Sequence, residues 1–239
     1  MRLYRLGNLG SLDALTLTET DEPRPGPREV AVRIRACSLN HRDLNIVSGT
    51  YARLALKPAA IALSDGAGEV VALGPGVTRW KVGDRVAPIF VQRWLGGDLK
   101  FEYMASALGG PSDGVLAERI VLHEEGLVRI PSHLGFEEAA TLPCAAVTAW
   151  NAVFVRGALR AGQTLVTLGT GGVSLFAKRA SMCGIQVGSR DMFEDMNRAI
   201  EVGRLRPVLD RVFEFGEARA AYEYLASGKH FGKVVIRVS

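Results

Sequence analysis

The sequence predicts an α/β fold in which a small β-barrel precedes a shorter region containing one strand, a glycine turn and helices. Three observations favour it. Short β-rich runs separated by Gly and Pro extend to about Ile130, the hydrophobic period becomes helical after Pro131, and one apolar strand runs into a glycine-rich turn at Gly169. With 239 residues, 48% of them hydrophobic and 23% charged, the composition is that of a globular chain.

The barrel prediction depends on four strand-like runs, at residues 30–35, 67–73, 85–91 and 118–122. Each run is rich in β-branched residues and is bounded by Gly, Pro or Asp, which favour turns. Several short strands at this spacing are typical of a small barrel or sandwich.

The second half of the chain has a different pattern. Apolar residues at helical spacing cover 136–140 and 145–155, and a strand at 165–168 follows. A helix with Met192, Phe193 and Met196 on one face is expected to stop at Gly203, and a helix at 217–227 precedes a final strand. These patterns predict three regions: a barrel at 1–130, a second region at 131–190, and helices and a strand at 191–239.

The charge pattern and the apolar segments narrow the classes of partner. The 29 basic and 25 acidic residues are interspersed, so no dense basic stripe suits a nucleic acid or a lipid surface. The most apolar stretch, 139–155, is interrupted by Pro143, Thr148 and Asn151, and no signal-peptide pattern precedes it. We therefore predict no nucleic-acid partner, no membrane span and a cytoplasmic location.

Cysteine usage agrees with a reducing compartment. Cys37, Cys144 and Cys183 are few, odd in number and far apart, which argues against a disulfide framework.

The glycine turn is the strongest local motif. Glycines at such a turn let the backbone approach a pyrophosphate, whose charge the free amides at the following helix N-terminus stabilise. A complete fold of this type needs two βαβαβ halves, on the order of 100 to 150 residues, and fewer residues follow the turn. We predict a truncated nucleotide-binding remnant whose cofactor contacts are Gly169, Thr170, Gly171, Gly172, Val173 and Ser174.

Six motifs, in order and spacing, span the chain and carry a family resemblance. They lie at residues 38–43, 65–70, 80–86, 142–150, 169–174 and 230–236. The chain resembles the medium-chain dehydrogenase/reductase superfamily, in its zinc-independent, quinone-oxidoreductase-like and alcohol dehydrogenase-like branch. The resemblance implies a GroES-like barrel plus a Rossmann domain, most of which is absent here, with a junction near Ala177 and Lys178. It also implies that the helices and strand at 191–239 return to the barrel.

The resemblance also bears on metal binding. Zinc members of the family have a Cys where this chain has Asn40, and a His-Glu pair where it has Ser64 and Asp65. A zinc site needs three or four converging nitrogen or sulfur ligands, and neither Cys37 nor the four histidines have the required spacing. We predict no metal.

The function that the resemblance implies is NAD(P)H-dependent hydride transfer to or from a small carbonyl, enone or quinone. By family position, Asn40 and Asp43 lie near the nicotinamide and the substrate, Thr148 touches the nicotinamide, and Lys233 contacts a cofactor phosphate. The choice between NAD and NADP stays open. Arg42, Tyr51 and Trp94 are further candidates for donors or walls of the cleft.

Simpler interpretations stay open beside these. Asn40 and Asp43 could be turn or cap residues, Thr148 a helix hydroxyl, and Lys233 a strand-edge lysine. The whole chain could be a catalytically inactive internal-deletion product that acts as a structural or oligomerisation module, or it could bind another ligand where the missing domain stood. A homo-oligomer is expected, paired through an exposed strand edge at 183–189.

Overall fold

A seven-stranded sheet dominates the computed structural model, which describes residues 1–51, 55–164 and 184–238. Six of its strands follow the order β7-β5-β4-β3-β9-β8, and β6 pairs with β3 beside β9. The strands are β3 (Glu29–Ser38), β4 (Asp65–Leu73), β5 (Arg85–Pro88), β6 (Arg119–His123), β7 (Leu127–Arg129), β8 (Leu209–Glu214) and β9 (Lys233–Arg237). A separate antiparallel pair contains β1 (Arg2–Leu6) and β2 (Leu15–Glu19).

The long strand β3 organises the sheet. It pairs antiparallel with β4 on one side and with β6 and then β9 on the other. At its end, Ser38 is opposite Asp65 of β4 and Val235 of β9. This register brings the first residues of β4 and β9 close to the segment that follows β3.

The sheet is buried on both faces, and the two-residue period of its strands explains how. On β9, Val234 and Ile236 face one core while Val235 faces the other. The first core includes residues of α5 (Ala218–Ala226), and the second includes residues of α4 (Arg190–Gly203). Apolar residues are therefore needed on both sides of the central strands.

The remaining helices border the sheet. They are α1 (His41–Val47), α2 (Phe136–Ala139) and α3 (Val147–Trp150), with π-helical turns at Leu142–Ala146 and Asn151–Arg156 that make 142–156 one continuous helical segment. The helix predicted to stop at Gly203 is confirmed as α4, whose N-cap Ser189 accepts a hydrogen bond from the Met192 N–H. The strand predicted at 85–91 ends earlier, at Pro88.

The predicted strand at 183–189 is not formed in its described part. Residues 184–189 have no strand assignment, and Gly188 lies so close to helix α3 that an added Cβ would be 2.6 Å from Val147 Cγ2. Val187 is buried, and its carbonyl accepts a hydrogen bond from the Asn151 amide at 2.7 Å. Tertiary packing has replaced the strand edge that was expected to pair two copies, and the expected homo-oligomer stays a prediction.

Three expectations lie outside the described residues: the strand at 165–168, the glycine turn from Gly169 to Ser174, and the junction near Ala177 and Lys178. The boundaries 1–130, 131–190 and 191–239 stay predictions.

The helical segment Phe136–Arg156 meets length and composition criteria for a membrane-spanning helix. This is weak evidence, because core helices of soluble proteins meet the same criteria. Part of the segment contributes to the second core through Ala139, Leu142 and Val147.

Candidate active site

A cavity of about 670 Å³ opens between α1, the segment around Phe90 and the helical segment 142–156. Its wall is largely apolar and aromatic, with a few polar groups among these side chains. The lining residues are His41, Arg42, Asn45, Thr50, Tyr51, Phe90, Phe101, Met104, Cys144, Thr148, Ile185, Gln186 and Val187.

A polar cluster lies next to this cavity, centred on Lys233. The Lys233 Nζ donates hydrogen bonds to Asn40 Oδ1 at 2.6 Å and to the Leu39 carbonyl at 2.7 Å. The Asn40 backbone N–H donates to Asp43 Oδ2 at 2.8 Å, which fixes the first turn of α1. One lysine from the last strand therefore holds the connection between β3 and α1.

Asp65, the first residue of β4, is the second centre of the cluster. Its Oδ1 accepts from the Ser64 hydroxyl at 2.7 Å, and its Oδ2 accepts from the Cys144 N–H at 3.0 Å. The Thr148 hydroxyl donates to the Cys144 carbonyl at 2.6 Å. This chain of contacts joins a buried carboxylate to two residues of the cavity wall.

Burial sets the electrostatics of both acids. It raises the pKa of Asp43 to about 6, against the opposing effect of Arg42 and of the Asn40 backbone N–H. It also raises the pKa of Asp65, while Lys233 and the Ser64 hydroxyl act to lower it. The two carboxyl groups depend on nearby cations to remain ionised.

Arg42 connects the cluster to the cavity. Its guanidinium lies 4.7 Å from the centroid of the Phe90 ring and 5.3 Å from that of Tyr51, at distances suited to cation–π contacts. Its Nη1 donates to the Leu108 carbonyl at 3.2 Å and to Asp43 Oδ1 at 3.4 Å. The side chain is only 11% exposed, so Asp43 and two aromatic rings hold a positive charge in the wall.

The structure brings together the described residues that the sequence singled out. Asn40, Asp43 and Lys233 form one hydrogen-bonded group. Thr148 connects through Cys144 to Asp65, a buried acid on which the Lys233 charge acts electrostatically. Of these four predicted residues, only Thr148 belongs to the described cavity lining. Asn40 is the N-cap of α1, which agrees with its simpler interpretation as a cap residue, and its side chain also accepts a hydrogen bond from Lys233.

Among the looser candidates, Arg42 and Tyr51 line the cavity. Trp94 does not appear in the described lining; it is buried, and its indole N–H donates to the Gly97 carbonyl.

Sequence reasoning did not assign a role to Asp65 or to Cys144. Asp65 carried a signal, because a charged residue begins a run that otherwise reads as a buried strand. Cys144 had no sequence signal beyond its position in the motif at 142–150. Phe90, Met104 and Val187 have the sequence pattern of ordinary core residues. Their meeting at one cavity depends on sheet register and helix packing.

The donor set near Asn40 is a poor match for zinc. In the part of the chain that the structure describes, no group of three or more His, Cys, Asp and Glu residues is placed to hold a metal. The Lys233 ammonium, 2.6 Å from Asn40 Oδ1, already supplies a positive charge there.

The cavity has the size and the wall of a small-molecule site. Its volume is within the usual range for such sites, and its wall combines apolar and aromatic side chains with polar ones. The Thr148 hydroxyl directs its proton to Cys144, so its oxygen keeps lone pairs for an amide N–H donor.

Comparisons with known families agree with this arrangement. The family model "Alcohol dehydrogenase GroES-like domain" matches residues 26–132, and the model "Zinc-binding dehydrogenase" matches residues 147–236. Together these matches define a mixed α/β protein with a GroES-like domain and a partial Rossmann-like portion.

Individual relatives extend the match to almost the whole chain. A zinc-type alcohol dehydrogenase-like protein of Schizosaccharomyces pombe is 30% identical over 336 aligned positions, covering 96% of this chain and 97% of the relative. A quinone oxidoreductase of Pseudomonas aeruginosa is 38% identical over 180 residues, covering 74% of this chain and 49% of the relative. The chain belongs to the medium-chain dehydrogenase/reductase superfamily, as an oxidoreductase of the alcohol dehydrogenase type.

Solved structures share the fold. A crystal structure from Sinorhizobium meliloti that carries an alcohol dehydrogenase name has a TM-score of 0.86 at 28% identity, covering 99% of this chain and 98% of that one. A thermostable alcohol dehydrogenase from Pyrobaculum aerophilum, solved with cobalt and zinc bound, has a TM-score of 0.80 at 24% identity. At that identity the likeness concerns the fold.

This chain is also shorter than its relatives. The alignment with the Schizosaccharomyces pombe protein has more positions than this chain has residues, so that relative has residues that this chain lacks. The chain spans about half the length of the Pseudomonas aeruginosa relative.

Proposed function

We propose that the chain is an NAD(P)H-dependent, zinc-independent oxidoreductase that transfers hydride to or from a small carbonyl, enone or quinone. The observation that carries this proposal is the charged cluster beside the cavity. In it Lys233 binds Asn40 and acts electrostatically on Asp65, which is hydrogen-bonded to Cys144 and through it to Thr148 in the wall. A substrate in the cavity would meet an apolar, aromatic surface with a few fixed polar groups, an arrangement typical of small-molecule sites.

The proposed roles follow from the contacts. The nicotinamide, when bound, supplies or accepts the hydride. Thr148 would accept a hydrogen bond from its carboxamide, because the hydroxyl proton is already directed to the Cys144 carbonyl. Arg42 would stabilise negative charge that develops on the substrate oxygen, and Asp43 keeps the guanidinium in place. Asn40 acts on the site through its contacts with Lys233 and Asp43.

Contacts to the rest of the cofactor are proposed for Gly169, Thr170, Gly171, Gly172, Val173 and Ser174. Lys233 is proposed as a further contact to a cofactor phosphate, since its ammonium has a third donor beside those used on Leu39 and Asn40. NAD and NADP both stay open.

Zinc independence is part of the proposal. It is supported by the Lys233 ammonium, which already places a positive charge at Asn40 Oδ1. A cytoplasmic location, without a nucleic-acid or membrane partner, is proposed from the interspersed charges.

A turnover assay tests the function. NADH and NADPH oxidation is followed with a small aldehyde, an enone and a benzoquinone, with and without a metal chelator. We expect turnover of at least one substrate, unchanged by the chelator, and a roughly tenfold lower kcat/KM in Thr148→Val, worth about 1.4 kcal/mol. Thr16→Val, on the exposed side of β2, should match the parent protein.

The assay has two contrary results. Loss of turnover on chelation, with recovery on adding zinc, would contradict zinc independence. Absence of turnover with all substrates would contradict the enzymatic proposal and favour a structural or oligomerisation module, the second candidate. One observation favours this second candidate: the Schizosaccharomyces pombe relative has residues that this chain lacks.

A further inference from the structure

Lys233 is a half-buried cation at the first position of β9, in contact with a segment almost two hundred residues earlier in the chain. We propose that Lys233 is the positioning cation of the site: its ammonium holds Asn40 in place, and its charge balances that of Asp65, which the register of β3 with β4 and β9 brings near it. This inference deepens the proposed function, since it concerns the residues beside the same cavity.

The hydrogen bonds of Lys233 give it a fixed position. Two of its three donors are used on Asn40 Oδ1 and the Leu39 carbonyl, at 2.6 and 2.7 Å. The backbone on either side is also held, because Leu39 donates to the Val234 carbonyl at 3.0 Å. The ammonium is therefore secured between β9 and the connection that follows β3.

Two branches lead from this lysine to the cavity wall. In one branch, Lys233 holds the Asn40 side chain, and the Asn40 backbone N–H donates to Asp43, which also accepts from Arg42. In the other branch, Lys233 acts electrostatically on Asp65, which accepts from Cys144 in the wall. Arg42 and Cys144, the wall residues at the ends of the two branches, therefore both depend on the Lys233 charge.

The balance of charge supports the assignment. Arg42 and Lys233 are the cations that act on the buried carboxyl groups of Asp43 and Asp65. Both acids are about 1% exposed or less, so their charges receive little help from water. Removal of the lysine charge would leave one excess negative charge in a buried site, which is strongly unfavourable.

The test is a double-mutant cycle on the full chain, read out by urea unfolding and independent of catalysis. Lys233→Met keeps the length of the side chain and removes its charge, Lys233→Arg keeps the charge, and Asp65→Asn removes the excess acid. Lys229→Met, at an exposed lysine in the preceding turn, is the matched control.

We expect Lys233→Met to raise the unfolding equilibrium constant at pH 7 at least tenfold, with a smaller effect at pH 4, where the carboxyl groups take up protons. Adding Asp65→Asn to Lys233→Met should recover most of the loss, Lys233→Arg should lose less, and Lys229→Met should resemble the parent. If Lys233→Met does not fold, the Arg variant and the double variant decide, since both should fold.

Two results would overturn the proposal. One is a Lys233→Met protein as stable as Lys229→Met, and the other is additive losses for Lys233→Met and Asp65→Asn. An inactive protein that shows the expected coupling would contradict the proposed function and leave the role of Lys233 supported.

Discussion

At the scale of single residues, Asp43 shows how burial and charge compete in this site. Its carboxyl group accepts hydrogen bonds from Asn40 and Arg42, yet burial still raises its pKa to about 6 from an ordinary value of 3.8. The folded protein therefore binds this proton more tightly than the unfolded chain does. The resulting stabilisation is fully present below pH 3.8 and is lost as the pH rises through 6.

Asp43→Asn tests this effect, because an amide does not ionise. Between pH 4 and pH 7 the parent should lose on the order of 2 kcal/mol more unfolding free energy than the variant. Urea unfolding at several pH values measures the difference. Asp21→Asn, at an exposed position, should follow the parent, and an Asp43→Asn curve parallel to the parent would contradict the shifted pKa.

At the scale of secondary-structure elements, the segment 184–189 leads into α4 and packs against the helical segment 142–156. Gly188 allows the close approach, since an added Cβ would be 2.6 Å from Val147 Cγ2, in the core. The neighbouring Val187 and Gln186 line the cavity, so the position of this segment affects the site.

Gly188→Ala is expected to destabilise the fold by about 1–3 kcal/mol, because the buried Val147 must move. Thermal unfolding should show a lower Tm. Gly216→Ala is the control, since an added Cβ there has no neighbour within 4 Å. Equal Tm values for the two variants would contradict the close packing of Gly188.

Elements and site were predictable to different degrees. The strands at 30–35, 67–73 and 118–122 and the helix α4 follow from hydrophobic period and turn residues, which are local. The strand predicted at 183–189 is not formed in its described part, because tertiary contacts such as the hydrogen bond from the Asn151 amide to the Val187 carbonyl replace strand pairing. Asp65, Cys144 and Lys233 meet only through the register of β3 with β4 and β9, which no local pattern specifies.

At the scale of the whole molecule, β9 connects the end of the chain to its first half. It pairs with β3 and brings Lys233 to the connection between β3 and α1. The Schizosaccharomyces pombe relative has residues that this chain lacks, yet the match covers 96% of this chain.

The central claim, that this cavity receives a nicotinamide cofactor, is tested most directly by titrating NADH and NADPH into the metal-free protein and following fluorescence. We expect a saturable response to at least one of them at or below millimolar concentration. Thr148→Phe, which fills the cavity, should weaken that response, and Thr16→Phe should not. No response to either nucleotide at millimolar concentration would contradict the claim.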